Sequence, residues 1–246
     1  MKIGLVCAPF RNGKTEENVK TILKYVNNCA ANGCDMAVFG EAVLQGFDAL
    51  TWDYDSDINI AVEENSAVIR RIRDDAKAVS MAVGFGYIEK ENGIIYSSFL
   101  VIGRDGSTVC NFRRVSKGWK EAEADVRYCE GEAFPVFEWE GKRFTVGLCG
   151  DLWYDENIAQ IAALDADAVL WPVYVDYDPD EWERTAKAEY AEQAARTGKH
   201  VLFVNPVCAD ENRKDAPFAV GGAAHFFEGK VVCEWPMGKA GIMIAE

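Results

Sequence analysis

Cys149 is the residue of this chain best placed to act as a nucleophile. It ends the apolar run of FTVGLCGDLWYDE (residues 144–156), which reads as a buried strand, and Gly150 and Asp151 follow it directly. A free cysteine is more often a small buried hydrophobe, and that interpretation suffices for the other seven of the eight cysteines. A thiol at the end of a strand can instead attack a carbonyl carbon, provided that a base removes its proton. An activated Cys149 would have a lowered pKa and would be alkylated faster than the other thiols.

Two charged groups at the ends of other strands could assist this thiol. Glu41 follows an apolar strand in FGEAVLQG, and a carboxylate in apolar surroundings can have the raised pKa that suits a general base. The basic pair Arg113-Arg114 ends the strand STVCNFRR, where a cation could hold the oxyanion of a tetrahedral intermediate. Strand ends converge at one edge of an α/β sheet, so we expect Glu41, this arginine pair and Cys149 to form an acyl-transfer site. His200 and His225 have no obvious orienting group and suit this chemistry less well.

A competing motif lies near the N-terminus. Residues 8–15, APFRNGKT, fit a relaxed phosphate-binding P-loop pattern between a strand and a helix. In this alternative the chain is a nucleotide-binding protein that uses Ala8 to Thr15. Pro9 weakens the match, because proline lacks the backbone N–H that a phosphate cradle needs. The simpler interpretation is a polar loop in which Thr15 caps the following helix.

The composition argues against several other classes. The chain has 246 residues and a net charge of −14, which repels nucleic-acid phosphates and anionic membrane surfaces. No apolar run approaches the ~20 residues that span a bilayer, and the N-terminus lacks a secretory pattern, so we expect a cytoplasmic protein. With two histidines and no C-x-x-C pair, the sequence predicts neither a metal site nor a cofactor.

The elements that must position these residues alternate along the chain. The sequence predicts four helices, at residues 15–31, 62–79, 155–164 and 181–197. Short apolar strands and several hairpins lie between them, including one that turns at Glu140-Gly141. No linker or repeat interrupts this pattern. The sequence therefore predicts an α/β fold in one domain, 1–246, with mixed sheets covered by helices.

Five stretches in this order resemble the carbon–nitrogen hydrolases of the nitrilase superfamily. The first contains Asn18 and the strand-terminal Glu41, the second ends its strand in Arg114 where the family has lysine, and the third carries Cys149. The stretches are EENVKTILKYVNNCAANGCDMAVFGEAVLQGF, DGSTVCNFRRVS, VGLCGDLWYDE, HVLFVNPV and VGGAAHFFEGKVV. The resemblance runs nearly from end to end and implies a four-layer α-β-β-α sandwich that dimerises through its helices, as a homodimer or a higher homo-oligomer.

The resemblance also implies a mechanism. Cys149 would attack a small amide or carbamoyl-amine and form a thioester, with Glu41 as the general base for the thiol and later for water. The third role is open, because Arg114 occupies the family's lysine position. Arginine keeps the positive charge but is bulkier and does not readily give up a proton. Lys117 or Lys120, in SKGWKE, could reach back into the site instead.

The sequence leaves two further questions open, the identity of a second carboxylate and whether the site is active. The family often adds a second glutamate in the following loop, and Glu123 or Glu121 could supply it. The changed third position also leaves room for a catalytically impaired family member that acts as a binding or regulatory protein. Retention of both Glu41 and Cys149 favours an active enzyme over that alternative.

Overall fold

Short apolar runs of the sequence form the strands of this protein. The computed structural model describes residues 1–210 and 218–246. The strands in these ranges are, in chain order, β1 (Ile3–Cys7), β2 (Pro9–Phe10), β3 (Met36–Phe39), β4 (Ala82–Glu91), β5 (Ile94–Ile102), β6 (Thr108–Arg113), β7 (Phe137–Trp139), β8 (Lys142–Val146), β9 (Ala168–Pro172), β10 (His200–Val204), β11 (Val207–Cys208), β12 (Ala223–Phe227), β13 (Lys230–Trp235) and β14 (Gly241–Ala245).

The helices follow the amphipathic segments of the sequence. They are α1 (Thr15–Ala31), α2 (Tyr54–Ile60), α3 (Ala67–Val79), α4 (Asp155–Ala163), α5 (Pro179–Glu181) and α6 (Lys187–Arg196), with a π-helical turn, Trp182–Ala186, joining α5 to α6. Three short 3-10 turns, Phe47–Ala49, Lys117–Trp119 and Cys149–Trp153, complete the helical elements of the described residues. No helix within those residues is both long and apolar enough to cross a membrane.

Twelve of these strands form two mixed six-stranded sheets, and β2 and β11 form a separate parallel pair. The first has the order β14-β1-β3-β4-β5-β6 and the second the order β13-β12-β10-β9-β8-β7. β3 runs parallel to β4, and the antiparallel steps β4-β5 and β5-β6 give β6 the same direction. β8, β9 and β10 are parallel to one another. The carboxyl ends of β3 and β6 therefore lie at one edge of the first sheet, and those of β8, β9 and β10 at one edge of the second.

The two sheets pack face to face and carry helices on their outer faces. Leu5 and Phe99 of the first sheet share one buried core with Val146 and Leu170 of the second. On the outer side of the first sheet, α1 and α3 pack onto a separate core. On the outer side of the second sheet, the Tyr190 ring of α6 stacks on Trp171, with ring centroids 4.9 Å apart. The predicted four-layer α-β-β-α sandwich with mixed sheets is confirmed.

Three local predictions need correction. The predicted helix 62–79 begins only at Ala67, because Ser66 accepts a hydrogen bond from the backbone N–H of Ile69 and caps the helix there. Helix α2 was not apparent from the apolar pattern; Asp53 caps it by accepting from the N–H of Asp55. Thr15 does not cap α1, since the residue at the cap position is Lys14, which makes no side-chain capping bond.

Candidate active site

Glu41 lies just beyond β3 and is buried. Its backbone N–H donates to the carbonyl of Val173, which follows β9, at 3.1 Å, so the ends of the two sheets meet here. Its side chain is only 1% exposed. Oε1 accepts hydrogen bonds from Ser97 Oγ at 3.0 Å and from Arg114 Nη1 at 3.1 Å. The carboxylate is thus held in one orientation by a hydroxyl and a cation.

The backbone around Glu41 approaches its neighbouring strand closely. A Cβ placed on Gly86 of β4 would lie 2.4 Å from the backbone nitrogen of Ala42 and 2.6 Å from the Cα of Glu41. Only a glycine at position 86 therefore lets the loop after β3 pass over β4. Ala42 itself adopts a φ of 48°, in the left-handed region that residues with a side chain rarely occupy.

Arg114 lies between the Glu41 carboxylate and the loop of Cys149. It follows β6, is 6% exposed, and donates from Nε to Ser116 Oγ at 2.8 Å in addition to its bond with Glu41. Burial acts to lower the pKa of this guanidinium, but the charges of Cys149, Glu41 and Asp151 outweigh burial and raise the pKa above its ordinary value. Arg114 is therefore a fixed positive charge at every accessible pH.

Cys149 occupies a strained position at the start of the 3-10 turn after β8. Its φ is 48°, in the left-handed region. Its thiol lies 3.9 Å from the carbonyl oxygen of Tyr174, and its own carbonyl accepts a hydrogen bond from Trp171 Nε1 at 2.8 Å. The residue is partly exposed. These contacts hold the thiol at the carboxyl edge of the second sheet.

The resting thiol is not a thiolate. Burial raises the pKa of Cys149 to about 12, the negative charge of Glu41 raises it further, and Arg114 acts in the opposite direction. The expectation of a lowered pKa was therefore wrong in direction. The main reason is burial, which disfavours the charged thiolate, and the neighbouring negative charge of Glu41 acts in the same direction.

Asp151 ties the loop of Arg114 to the loop of Cys149. It is fully buried, and its Oδ1 accepts from the backbone N–H groups of Val115 at 3.1 Å and Ser116 at 2.7 Å. Its Oδ2 accepts from the N–H of Leu148 at 2.8 Å. Burial raises the pKa of Asp151 to about 6 against the lowering effect of Arg114 and of these N–H groups, so the carboxylate is ionised at neutral pH.

Asn205 supports the third side of the site. It follows β10, is fully buried, and its side chain both accepts from the N–H of Val175 at 3.0 Å and donates to the carbonyl of Val175 at 2.8 Å. This pair of bonds fixes the loop after β9. The carbonyl of Tyr174, which faces the Cys149 thiol, lies on that loop.

Sequence reasoning gave no role to two of these groups. Ser97 and its neighbour Ser98 interrupt an apolar strand, and both are buried with their hydroxyl groups on glutamates, Ser97 on Glu41 and Ser98 on Glu89. Polar residues at the centre of an apolar strand were the available signal. For Asp151 the signal was an acid two residues after the cysteine, at the start of a helical turn, where it accepts from backbone N–H groups.

The alternative charged residues lie elsewhere. Lys120 donates to the carbonyl of Tyr128 and forms an ion pair with Glu130 at 2.9 Å. Lys117 is exposed, as are the two candidate second carboxylates, Glu121 and Glu123. Of the four, Lys120 is thus engaged by Glu130 and the other three face solvent, whereas Arg114 is buried against Glu41.

The loop that resembles a P-loop does not present its amides to solvent. Every backbone N–H from Arg11 to Lys14 is hydrogen-bonded within the protein. The acceptors are, in order, Asn18 Oδ1 at 2.9 Å, Asp210 Oδ2 at 2.8 Å, the Gln45 carbonyl at 2.8 Å and the Arg11 carbonyl at 3.3 Å. A phosphate cradle needs free N–H groups and no carboxylate. This arrangement contradicts the nucleotide-binding alternative.

The two histidines lie apart from these residues and contact each other. His200 Nδ1 and His225 Nε2 are 2.9 Å apart, at the opposite end of β10 from Asn205. Across the ranges that the structure describes, no group of three or more histidine, cysteine, aspartate or glutamate side chains is arranged to hold a metal ion.

The family of the chain follows from comparison with known proteins. The family model described as Carbon-nitrogen hydrolase matches residues 2–246, so the chain belongs to the carbon–nitrogen hydrolase family. Among solved structures, an amidase from Nesterenkonia sp. superposes over 99% of this chain and 89% of its own with a TM-score of 0.78 and 18% sequence identity. A glutamine-dependent NAD+ synthetase from Acinetobacter baumannii covers 99% of this chain at a TM-score of 0.78 and 21% identity, but only 44% of its own. At such identities these structures establish the fold.

Curated relatives are equally distant in sequence. A glutamine-dependent NAD(+) synthetase from Acinetobacter baylyi is 21% identical over 207 residues, 84% of this chain and 37% of that protein. A citrullinase from Francisella tularensis is 23% identical over 141 residues, 52% of this chain and 48% of that protein. The chain thus spans about half or less of the length of these relatives. The family is established, whereas a single domain over 1–246 stays a prediction.

Proposed function

We propose that this protein hydrolyses the carbon–nitrogen bond of a small amide or carbamoyl-amine through a thioester on Cys149. Glu41 serves as the general base and Arg114 as the cation. The observation that supports this most is the convergence of the three side chains from three strand ends. Arg114 donates to Glu41 at 3.1 Å, and the charges of both act on the Cys149 thiol in opposite directions.

In the first half-reaction the thiol sulfur attacks the carbonyl carbon of the substrate. Because the pKa of Cys149 is raised to about 12, its proton passes to Glu41 as the carbon–sulfur bond forms, and no free thiolate precedes the attack. Negative charge then develops on the carbonyl oxygen, and Arg114 stabilises it. The protonated Glu41 gives its proton to the leaving nitrogen, the carbon–nitrogen bond breaks, and an amine or ammonia departs.

In the second half-reaction a water molecule attacks the thioester. Glu41 is again a carboxylate and takes a proton from this water as the new carbon–oxygen bond forms. The second tetrahedral intermediate places its charge beside Arg114 as the first did. Its collapse expels the sulfur, which recovers its proton from Glu41, and releases the acid. Each group returns to its starting protonation state.

The substrate class is drawn from the curated relatives. The curated relatives include a citrullinase and N-carbamoylputrescine amidases, both named for carbamoyl-amine substrates. A small amide or ureido group is therefore the chemistry that we favour.

The test is turnover of a panel of small amides, carbamoyl-amines and nitriles. Release of ammonia or amine is measured for the wild type, for Cys149→Ala and for Cys233→Ala, a matched control at a partly buried thiol on β13. We expect Cys149→Ala to abolish turnover and Cys233→Ala to retain it. Mass spectrometry of the intact protein, quenched during turnover, should detect an added acyl group on the wild type and on Cys233→Ala but not on Cys149→Ala. Turnover that survives in Cys149→Ala contradicts the proposal.

A second function rests on one observation, the arginine at the position where the family has lysine. Arginine holds a charge but does not serve as a proton donor, which suits a site that binds an amide without cleaving it. In this case the wild type and Cys149→Ala would bind the same panel member with equal affinity in calorimetry, and neither would turn it over.

We further propose a cytoplasmic homodimer. All eight cysteines are free thiols in the structure, which suits a reducing compartment. Trp153 and Tyr154, at the start of α4, are 38% and 36% exposed and offer an apolar surface to a second copy. Sedimentation of the wild type against Trp153→Asp tests the dimer, and a monomeric wild type contradicts it.

A further inference from the structure

Gly150, the residue after the nucleophile, lies against the guanidinium of Arg114. A Cβ placed on Gly150 would be 2.4 Å from Arg114 Nη2 and 3.3 Å from Ser116 Oγ. Carbon and nitrogen atoms that are not bonded do not approach to 2.4 Å, so a side chain at position 150 and the guanidinium cannot occupy their present places together. The backbone gives no other reason for glycine here, because the φ of Gly150 lies outside the left-handed region.

The hydrogen bonds of the guanidinium leave this same edge free. An arginine carries five N–H donors in a fixed planar fork. Nε donates to Ser116 and Nη1 to Glu41, whereas Nη2 donates to no group within residues 1–210 and 218–246. The two N–H groups of Nη2 therefore lie beside Gly150 and donate no hydrogen bond to the described residues of the protein.

We propose that Gly150 is a positioning residue that admits the Nη2 edge of Arg114 beside Cys149, and that Nη2 is the donor to the oxyanion. This inference rests on the proposed function. It adds which nitrogen of Arg114 donates to the oxyanion and which residue leaves space for that nitrogen. Nη1 is held by the base and Nε by Ser116, so one side chain both orients Glu41 and keeps a free donor for the substrate. A lysine has one nitrogen on a narrower stem and needs no such space. Position 114 and position 150 are therefore coupled.

The test uses Gly150→Ala, a change that the fold should tolerate. The clashing atom is the free end of a long side chain and not backbone, so relief comes from movement of the guanidinium. That movement breaks the bonds to Ser116 and Glu41 and withdraws Nη2. Loss of one oxyanion donor costs about 100-fold in kcat, and we expect a loss of that order in Gly150→Ala. Gly118→Ala, at a glycine whose added Cβ would face only the exposed Tyr154 hydroxyl at 3.0 Å, is the matched control.

The double variant Arg114→Lys/Gly150→Ala isolates the coupling. A lysine has no Nη2 to collide with the added methyl group, so the two losses in kcat should be far from additive, with the double variant faster than Gly150→Ala alone. Additive losses would show that Gly150 acts through the backbone and not through Arg114, and would overturn the inference. So would a kcat for Gly150→Ala within about twofold of the wild type, the range of an uncoupled substitution.

A readout without substrate separates this inference from the proposed function. Arg114 opposes burial at the Cys149 thiol, so withdrawal of the guanidinium should slow alkylation of Cys149 by iodoacetamide at pH 9, and Arg114→Lys/Gly150→Ala should recover part of the rate. If the wild type hydrolyses no member of the panel, the proposed function fails, but the alkylation rates of Cys149 still test the coupling between Arg114 and Gly150. Equal alkylation of Cys149 in the wild type and Gly150→Ala would then overturn the coupling.

Discussion

Arg114 Nη1 and Glu41 Oε1 lie 3.1 Å apart, although 73 positions separate the two residues in the chain. Both side chains are nearly inaccessible, with exposures of 7% and 1%. Removal of one partner from a buried ion pair leaves an uncompensated charge and costs about 3–5 kcal/mol. Each of these residues therefore supports the fold as well as the chemistry, and only substitutions that keep shape or charge separate the two roles.

Glu41→Gln keeps the shape of the side chain and removes the base. The amide oxygen can still accept from Ser97 and Arg114, but the buried charge of Arg114 loses its partner, so we expect a folded variant whose free energy of unfolding is lower by up to about 3–5 kcal/mol. We expect kcat to fall by about 100-fold or more, the usual contribution of a general base. Ammonia release, measured with circular dichroism as a check on folding, decides the point. A rate close to that of the wild type would mean that another group takes the proton.

The same variant should respond in the opposite sense to an alkylating agent. The negative charge of Glu41 raises the pKa of Cys149, so its removal lowers that pKa and increases the thiolate fraction at any given pH. We therefore expect Glu41→Gln to be alkylated by iodoacetamide faster than the wild type at pH 8, while its turnover is slower. Peptide mapping must assign the label to Cys149. Slower alkylation would show that Glu41 activates the resting thiol instead of suppressing it.

In the wild type, alkylation should keep rising with pH. A thiol whose pKa is raised to about 12 is almost wholly protonated at pH 7, and its thiolate fraction grows throughout the range from pH 7 to 10 without a plateau. The measurement is the second-order rate constant for labelling of Cys149, with the partly buried Cys233 as an internal comparison. A plateau below pH 8 would mean that Arg114 outweighs both burial and Glu41.

The sequence alone predicted that Glu41 and Cys149 follow buried strands, because each comes after a continuous apolar run. The strands β3 and β8 belong to different sheets, however, so the packing of the two sheets brings these side chains together, and not one sheet edge as expected. The choice between Arg114 and Lys120 was beyond the same reasoning. The 115–133 segment is polar and irregular, and its path depends on contacts such as the pair of Lys120 with Glu130, which no periodicity encodes.

Other features depended on tertiary contacts in the same way. Strand β14 completes the first sheet by pairing with β1, from Ile3 opposite Ala245 to Cys7 opposite Gly241, but its short run after a glycine-rich loop gave no distinct signal. The role of Ser97 depends on which strand lies beside β5 and on which face of it, information that exists only once the sheet is assembled. The sequence pattern therefore predicted the residues that we propose to react, but not the residues that hold them in place.

Asp151→Asn tests the contact that joins the two loops. An asparagine offers one carbonyl oxygen where the carboxylate offers two, so its amide faces the Leu148 N–H and leaves that buried donor without an acceptor. An unsatisfied buried donor costs about 1–3 kcal/mol, and we expect the free energy of unfolding in urea to fall by that amount. Asp155→Asn, at an exposed carboxylate paired with Arg196, is the control and should change stability by less than about 1 kcal/mol. Equal stability of Asp151→Asn and the wild type would show that the loops are held by other contacts.

The identity of the cation is tested by Arg114→Met, Lys117→Met and Lys120→Met. Each replaces a charged side chain with an unbranched apolar one of similar length, so packing is largely kept while the charge is lost. Arg114 alone of the three contacts Glu41 and lies against the residue after Cys149. We expect its loss to reduce kcat by about 100-fold or more, since the oxyanion loses its donor and the base loses its partner. Lys120 is bound to Glu130 at 2.9 Å and Lys117 is exposed, so their variants should retain turnover within a few-fold.

Because Arg114→Met also leaves Glu41 unpaired, Arg114→Lys is measured beside it. If Arg114→Lys folds and is faster than Arg114→Met, the loss of turnover in Arg114→Met is due to the missing charge. If Lys120→Met is the variant that loses turnover, the loop after β6 must close over the site during catalysis, and Arg114 serves only to hold Glu41.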